Sequence, residues 1–465
     1  VPAVVSDCRA QAAFVRQHKT GEVHVAGDAA SLAAMVRKVL ADPKPYRDRM
    51  TDEQLLAAND WSHEAGILQE VYRELLPALR DIQPQTLTVT EPPEVAPALE
   101  HGDRVADGVV LGIGPANSAG QAWAWSRAAA RLLPHVRPCV VTVRNEKYDF
   151  PTDVPVLRTA FASDTVWQSA AAASAVGAWT HALLEAGRPV FGTLNGRDFR
   201  GDAALLTEAG VRVGLVLHGS EVRDPRIHAA THPWSPFADP GDPRTKRLQL
   251  GCDTLLPLVR SFEGPVFVST PDQLDYLPEA TWLPVVVDTD RWRPEPPVLE
   301  RRVPLVVHAP STPWLKGTDQ VLATLQPLVD AGKIELRLVT GMPPAQAAEL
   351  IRSADVVVDQ VLLGLYGVLA CEAMSAGRLV LGNLGERLRS RVPADVPVVE
   401  VTPTNLAEVL ERFLQEPAAA RKVAAQGPAF VERFHDGRYS AKVLAEFLTT
   451  PGDTPAPIWR TPQHD

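Results

Sequence analysis

The sequence predicts an α/β protein built from parallel, doubly wound sheets. Short and almost fully apolar runs recur along the chain, as expected for strands that are covered on both faces. Helical stretches separate these runs, and the alternation of β and α units favours parallel sheets. The predicted strands are Ala3–Val5, Val109–Ile113, Cys139–Val143, Val190–Leu194, Val211–Leu217, Val266–Val268, Leu305–Val307, Glu335–Val339, Val356–Val358 and Leu379–Leu381. The clearest predicted helices are Ala119–Leu133, Thr318–Ala331, Pro344–Ser353 and Asn405–Gln415.

These elements are enough for two such domains and a remainder at the N-terminus. Residues 26–45 and 400–419 look alike at a constant spacing, so that Leu32 matches Leu406 and Pro43 matches Pro417. Both segments continue to an aromatic residue and a final helix. We therefore expect the tail of one module, followed by a longer module with the same kind of tail. The alternative is a chance resemblance between two amphipathic helices.

Composition and charge argue against some classes of function. The 465 residues carry a net charge of −10, which argues against nucleic-acid binding and against a polybasic membrane surface. No apolar run approaches the ~18 residues that a transmembrane helix needs. The four cysteines are far apart and form no Cys/His cluster, which predicts reduced thiols, a cytoplasmic location and no metal site.

Proline-rich stretches predict where the linker, a long loop and the hinge between the predicted domains lie. Gln83–Pro97 is rich in Pro, Thr and Glu and is typical of an extended linker. Pro233–Arg247 predicts a long loop, and Pro284–Pro297 predicts a hinge between two series of strands and helices. We expect the tail Pro451–Asp465 to be disordered.

A first candidate site follows the strand that ends at His308. The chain continues through Ser311, Thr312, Lys316 and Gly317 and then enters a helix. Free N–H groups and the helix dipole make such a loop an anion site, and a lysine adds a charge suited to phosphate. The glycine spacing is not that of a Walker A loop. A purely structural Lys-Gly at a helix start is the alternative.

A second candidate site lies about fifty residues later. The buried strand Val356–Val358 leads to Asp359 and Gln360, and the loop Gly364–Gly367, which includes Tyr366, precedes a helix that starts near Val368. We expect Glu372 to lie in the first turns of this helix. A carboxylate there can accept hydrogen bonds from a ribose diol while the N–H groups of the loop bind a pyrophosphate. A glutamate on a solvated helix face is the alternative.

Together these two segments, "STPWLKGTD" and "GLYGVLACEAMSAGRLVLGN", resemble the donor-binding lobe of family-4 retaining glycosyltransferases. The resemblance covers about Arg104–Leu448 and implies a GT-B fold, in which two Rossmann-like lobes face a cleft. It places the ribose-binding glutamate of the family on Glu372 and the phosphate lysine on Lys316. Val1–Leu76 is similar to the last part of another such lobe.

Two positions depart from the family pattern. Gly364 stands where the family often has a second glutamate that contacts the donor sugar, and Ser311 stands where it often has an arginine that contacts the diphosphate. The candidate substitutes are Asp359, Gln360, Ser311, Thr312 and His308.

The first lobe offers acceptor-side candidates. "GIGPANSAGQAWAW" follows a strand and opens a helix, and Gly114 and Gly120 allow a ligand to approach the backbone closely. Asn117 occupies the third glycine position of a dinucleotide fingerprint, so that motif is absent, and Ser118 lies beside it. The strand Val211–Leu217 ends in "HGSE", which includes Glu221. His218 there resembles the active-site histidine of the family, whereas a lone histidine at a strand end is often structural.

The resemblance implies a domain order. We expect a partial C-terminal lobe of an upstream transferase module over residues 1–82, a linker over 83–103 and an acceptor-side lobe over 104–284. A nucleotide-sugar lobe over 285–431, a closing helix over 432–450 that crosses back to the first lobe and a disordered tail over 451–465 follow.

The function that the resemblance implies is transfer of a sugar from a nucleotide-diphosphate sugar to a hydroxyl of a glycan, lipid-linked or small-molecule acceptor. The resemblance also implies retention of configuration and no required metal or other cofactor. We expect no nucleic-acid partner, and peripheral membrane contact is compatible with this function. His218, Lys316 and Glu372 would be the catalytic residues. The alternatives are a sugar-nucleotide epimerase of the same fold, a catalytically silent binding module and, least favoured, a nicotinamide-dependent dehydrogenase. The nucleotide, sugar, linkage and oligomeric state stay open.

Overall fold

The computed structural model describes residues 2–52, 55, 108–144 and 150–449. The chain divides into two compact units, Val1–Pro92 and Pro93–Asp465. The linker and the tail that the sequence predicts at Gln83–Pro97 and Pro451–Asp465 lie outside the described residues.

The described part of the first unit is a small α/β layer with a two-stranded parallel sheet. The Asp28 carboxylate accepts hydrogen bonds from the N–H groups of Ala30 and Ser31 and so caps the second helix. The elements are β1 (Ala3–Ser6), α1 (Arg9–His18), β2 (Gly21–His24), α2 (Ala29–Ala41) and α3 (Lys44–Met50).

The second unit begins with a lobe built on a seven-stranded sheet. All of its strand pairs are parallel, in the order β5-β4-β3-β6-β7-β8-β9. The strands are β3 (Val109–Gly114), β4 (Val136–Val143), β5 (Val154–Val156), β6 (His181–Glu185), β7 (Arg212–Leu217), β8 (Val266–Val268) and β9 (Thr281–Trp282). The helices are α4 (Gln121–Leu132), α5 (Arg158–Ser163), α6 (Thr165–Ala178), α7 (Phe199–Glu208), α8 (Pro225–Thr231) and α9 (Pro243–Arg260).

A second lobe of the same unit has a five-stranded parallel sheet in the order β11-β10-β12-β13-β14. Its strands are β10 (Leu305–His308), β11 (Glu335–Leu338), β12 (Val356–Val358), β13 (Leu379–Gly382) and β14 (Val398–Glu400). Its helices are α10 (Pro313–Lys316), α11 (Thr318–Asp330), α12 (Pro344–Ser353), α13 (Val368–Ser375), α14 (Gly385–Arg389), α15 (Leu406–Gln415), α16 (Pro417–Ala424) and α17 (Gly427–Phe434).

The last helix, α18 (Arg438–Phe447), returns to the first lobe and packs against α4. Leu444 and Phe447 belong to the same buried cluster as Val109 and Leu111 of β3. The chain segment between the lobes is also fixed to α4, because the Gln121 side chain pairs with the backbone of Val286 through both its amide groups.

In each of these two sheets, the order in which successive strands are added reverses at one strand. The chain leaves β3 for β4 and returns to β6 on the other side, and it leaves β10 for β11 and returns to β12 on the other side. Ligands of doubly wound sheets bind at the carboxyl ends of the strands that flank such a reversal. The fold therefore predicts that ligands bind at the loops that follow β3, β6, β10 and β12.

The predicted strand Val190–Leu194 is wrong. The strand of this region is β6, which carries polar residues at both ends. Val190 and Phe191 are buried because a loop folds into the core, and their N–H groups donate to the Asp202 carboxylate at 2.6 and 2.9 Å. The apolar run therefore reflects burial of a loop, and not a ladder of strand hydrogen bonds. The sequence also left β2, β5, β9 and β14 unpredicted.

Among the described helices, none combines the length and the apolar composition that a bilayer span requires.

Candidate functional site

The loops after β10 and β12 meet at an ion pair. Lys316, the last residue of α10, places its Nζ 2.6 Å from Oδ1 of Asp359, which directly follows β12. Gly317 makes this approach possible, because its φ is +75° and an added Cβ would come within 2.5 Å of the Val361 side chain. Two sequence candidates that lie far apart in the chain are thus in direct contact.

This ion pair is mostly shielded from solvent. The side chains of Lys316 and Asp359 are 13% and 2% exposed, respectively. Oδ2 of Asp359 has no hydrogen-bond partner within the described part of the chain. An ammonium has three donors, and Asp359 takes one, so Lys316 can still contact an anion.

His308 and Gln360 support these loops from inside. His308 is fully buried, with Nδ1 2.8 Å from the Val358 carbonyl and Nε2 2.9 Å from the Thr318 hydroxyl. Burial lowers the pKa of His308, so the ring is neutral and donates to Val358. The Gln360 amide donates to the carbonyls of Leu365 and Asn383, and its oxygen accepts from the N–H groups of Leu362 and Leu363. Neither side chain offers a free group to a ligand in this conformation.

Glu372 lies in the second turn of α13, which begins just after Gly367. Burial raises the pKa of Glu372 to about 7, against the opposing effects of the Arg291 charge and of a hydrogen bond from the Trp292 side chain. A carboxylate offers about four acceptor positions, and the Trp292 side chain occupies one of them. Glu372 is therefore a mostly buried acid that can accept further donors.

The first lobe fills the space beside Gly364. The φ of Gly364 is +65°, and an added Cβ would lie 2.6 Å from Cδ2 of His232. His232 stacks on His228 with ring centroids 4.0 Å apart. His228 in turn places its Nε2 3.2 Å from the Leu363 carbonyl, so the loop after β12 contacts two histidines, one in α8 and one at its C-terminal end. A glutamate at this position would collide with His232.

The remaining donor-side candidates, Ser311, Thr312 and Tyr366, differ in their exposure to solvent. Ser311 is exposed and Thr312 is half-buried at the start of α10, so both are open to a ligand. Tyr366 is 1% exposed, and its hydroxyl lies 3.4 Å from Nε2 of His435 inside the core. Tyr366 therefore anchors the loop Gly364–Gly367 in the core.

On the acceptor side, Glu185 joins three strand ends. It is the last residue of β6 and is completely buried. Its Oε2 accepts hydrogen bonds from the N–H groups of Ala116 and Asn117, at 2.8 and 2.7 Å, in the loop after β3. Its Oε1 lies 3.0 Å from Nε2 of His218, directly after β7.

His218 is further fixed by neighbours from other elements. Trp125 stacks on its ring with a centroid distance of 5.7 Å and an interplanar angle of 14°. Glu221 accepts the backbone N–H of His218. Burial disfavours the charged ring, but the hydrogen bond and charge of Glu185 and the charge of Glu221 raise the pKa of His218 above its ordinary value. Trp125 is fully buried, so it supports the histidine and presents no face to a sugar.

The glycine-bearing loop after β3 is wrapped around Glu185. Asn117 has a φ of +42° and is buried, and its side chain donates to the Pro151 carbonyl and accepts from the Trp123 N–H. Ser118–Gly120 forms a single 3-10 turn before α4. An added Cβ at Gly114 would come within 2.5 Å of the Val141 carbonyl, so its glycine permits strand packing.

Sequence reasoning missed Glu185 and His232. Glu185 was missed because the strand was predicted nine residues too late, although the run "HALLE" before an Ala-Gly turn is a strand signal in itself. His232 was missed because only the fold brings it to Gly364. In the described ranges, no group of three or more His, Cys, Asp or Glu residues could hold a metal ion.

Comparison with known proteins supports the fold. No protein-family model matches the sequence, and a search of curated proteins found no significant match. Sucrose-phosphate synthase from Thermosynechococcus elongatus matches 73% of this chain and 98% of its own, with 13% identity and a TM-score of 0.51. Anabaena HepE, solved with UDP and glucose, matches 73% and 99% of the two chains at 12% identity and a TM-score of 0.46. A glycosyltransferase from Rickettsia africae matches 74% and 98% at 12% identity and a TM-score of 0.47. The chain has a GT-B fold, and at these identities the similarity establishes nothing finer.

Proposed function

We propose that this protein is a glycosyltransferase that moves a sugar from a nucleoside-diphosphate sugar to an acceptor hydroxyl, with retention of configuration and without a metal. The observation that carries the proposal is the meeting of two loops at adjacent strand ends of the second lobe. One loop supplies Lys316, the other supplies Glu372 and the N-terminus of α13, and the contact between Lys316 and Asp359 holds the loops together.

Each of these groups matches one part of a nucleoside diphosphate. Lys316 and the free N–H groups at the start of α13 suit the diphosphate, because both present positive charge to an anion. Glu372 suits the ribose, because two neighbouring hydroxyls can donate to one carboxylate. Ser311 and Thr312 are open to the same ligand. His308, Gln360 and Asp359 act by shaping the two loops.

In the transfer, the bond between the anomeric carbon and the diphosphate oxygen breaks. The acceptor oxygen forms the new bond to that carbon, and its proton passes to the departing diphosphate. Lys316 and the start of α13 stabilise the negative charge that develops on the leaving group. His218 contacts a sugar or acceptor hydroxyl from the first lobe. Closure of the lobes excludes water and suppresses hydrolysis of the donor.

The acceptor is a hydroxyl of a glycan, a lipid-linked saccharide or a small molecule. The net charge of −10 argues against a nucleic-acid partner. A cytoplasmic location fits the separated cysteines, and peripheral membrane contact fits a lipid-linked acceptor.

A second candidate function is a catalytically silent module that binds a nucleotide or sugar. Two observations favour it: Lys316 is already paired with Asp359, and His232 occupies the space beside Gly364. An epimerase of the same fold would convert a nucleotide sugar with no acceptor present.

A screen of nucleotide sugars for thermal stabilisation, followed by mass spectrometry with acceptors, separates these functions. A transferase releases the nucleoside diphosphate and gains a product of donor-sugar mass on the acceptor. Conversion of the donor without acceptor indicates an epimerase. Stabilisation without turnover over hours contradicts the transferase and supports the silent module.

A further inference from the structure

The carboxylate of Glu185 is a junction of three strand ends in the first lobe. It is fully buried and receives two backbone N–H groups from the loop after β3 and the imidazole that follows β7. Oε2 accepts both backbone N–H groups, and a carboxylate oxygen is an acceptor, so the neighbour of Oε1 must be a donor. The nitrogen of His218 that faces it, Nε2, must therefore carry a proton.

This contact fixes which nitrogen of His218 is left for a ligand. Within the described residues, Nδ1 has no hydrogen-bond partner, and 12% of the side chain is exposed. The ring plane is held by the stacked indole of Trp125, whose own Nε1 donates to the Pro284 carbonyl at 2.7 Å. In the neutral ring Nδ1 is then an acceptor with a fixed direction.

The charged groups around the ring come from three segments. Glu185 ends β6, Glu221 lies in the turn after β7, and Arg188 lies in the loop after β6. Glu185 and Glu221 favour the protonated ring, whereas burial and Arg188 oppose it. On the α4 side the indole of Trp125 faces the ring, and Ser269, after β8, donates to the His218 carbonyl.

We propose that Glu185 is a positioning residue for the transfer: it holds the His218 proton on Nε2 and so leaves Nδ1 to accept a hydrogen bond from a hydroxyl of a sugar or polyol substrate. The identity of that substrate rests on the proposed function, whereas the state of the histidine does not. Below the pKa of His218, Nδ1 is protonated as well and loses its acceptor role.

Glu185→Gln tests this proposal with little change in volume. Among the residues that the structure describes, Glu185 is the acceptor for the N–H groups of Ala116 and Asn117, so the new carbonyl must accept them and the new amide faces His218. The amide donates to Nε2, and the His218 proton moves to Nδ1. The side chain thus stays in place while the histidine reverses its polarity toward the substrate.

A matched control is Asp202→Asn in the same lobe. Asp202 is also fully buried and accepts two backbone N–H groups, those of Val190 and Phe191. Its third donor is the Asn195 amide and not a histidine. Both variants therefore replace one buried carboxyl group by an amide, but only Glu185→Gln alters the partner of His218.

The first measurement is the tautomer and pKa of His218 by NMR of histidine labelled with ¹⁵N, assigned with His218→Asn. We expect the proton on Nε2 in the unmodified protein, and a lower pKa with the proton on Nδ1 in Glu185→Gln. Asp202→Asn should match the unmodified protein. A proton on Nδ1 in the unmodified protein overturns the proposal even if the variant fails to fold, and so does an unchanged pKa in Glu185→Gln.

The second measurement is transfer and UDP binding in the same proteins. We expect Glu185→Gln to lower kcat/KM about 10- to 100-fold, to remove the loss of activity at low pH and to leave the affinity for UDP unchanged. An equal loss in Asp202→Asn contradicts a positioning role. If the unmodified protein transfers no sugar, the proposed function fails, while the NMR result still decides the state of His218.

Discussion

Glu185 and Glu372 are carboxylates near the strand ends of two different lobes, and they differ in burial and in the number of hydrogen-bond donors around them. Glu185 is completely buried and has three donors from its own lobe. Glu372 is mostly buried, receives one hydrogen bond from the Trp292 side chain, and has a pKa raised to about 7. A buried carboxylate without enough donors is costly. The fold thus supplies the partners of Glu185, whereas Glu372 retains acceptor positions, which is consistent with the ribose-binding role that we propose for it.

The largest contrast should come from removing each carboxylate. Glu185→Ala leaves two buried N–H groups and a histidine without their acceptor, so we expect the free energy of unfolding to fall by about 3–5 kcal/mol. Glu372→Ala should lower it by no more than about 1 kcal/mol at neutral pH, because that carboxylate has few donors to lose and burial already disfavours its charged form. Urea denaturation measures both. Similar losses in the two variants would remove the distinction.

Gly364 tests how closely the lobes are fitted together. Gly364→Ala adds a Cβ within 2.6 Å of His232 at a φ of +65°, and we expect a loss of about 2–4 kcal/mol. Gly332→Ala is the matched control, because Gly332 has a φ of +63° and open space around it. The control should lose only about 1 kcal/mol, the cost of the left-handed backbone. Equal losses would mean that His232 moves aside freely.

Lys316 tests the anion site of the second lobe. We expect Lys316→Ala to weaken binding of a nucleoside diphosphate about 10- to 30-fold, while binding of the nucleoside without phosphates is unchanged. Calorimetric titration measures both ligands. Lys333→Ala serves as the control, because Lys333 lies on the same lobe and pairs with Glu411. An undiminished affinity for the diphosphate in Lys316→Ala would show that Asp359 already satisfies the lysine.

The last contrast concerns the pH dependence of stability. The pKa of Glu372 is raised to about 7 in the folded protein, above its ordinary value of 4.5. The charged form therefore destabilises the fold above pH 7, and this penalty disappears as the pH falls toward 4.5. We expect Glu372→Gln to gain about 3 kcal/mol of stability relative to the unmodified protein between pH 4.5 and pH 8, because that is the cost of ionising a carboxyl whose pKa is raised to about 7. A difference that is the same at both pH values would contradict the raised pKa.

The sequence predicts the second lobe better than the first. Asp359 directly follows a short apolar strand, and Lys316 and Glu372 lie in the helices that come next after such strands, so local patterns place all three. The position of Glu185 at a strand end was not predicted, because the apolar run at Val190, which lies in a buried loop, matches a strand pattern better than β6 does.

Contacts between segments that are distant in the chain could not be predicted from the sequence. Nothing near Gly364 predicts that His232 fills the space beside it, and nothing near His218 names its carboxylate partner. Both contacts depend on the order in which strands assemble into a sheet and on how the lobes meet, and local periodicity carries no information about either.

The central claim is that Glu372 is completed by the ribose of a bound nucleotide. Titration of UDP and of GDP into the unmodified protein and into Glu372→Ala tests it directly. We expect at least one nucleotide to bind the unmodified protein and to bind Glu372→Ala at least about tenfold more weakly, because the carboxylate that accepts the ribose hydroxyls is gone. Equal affinity in the two proteins would contradict the account.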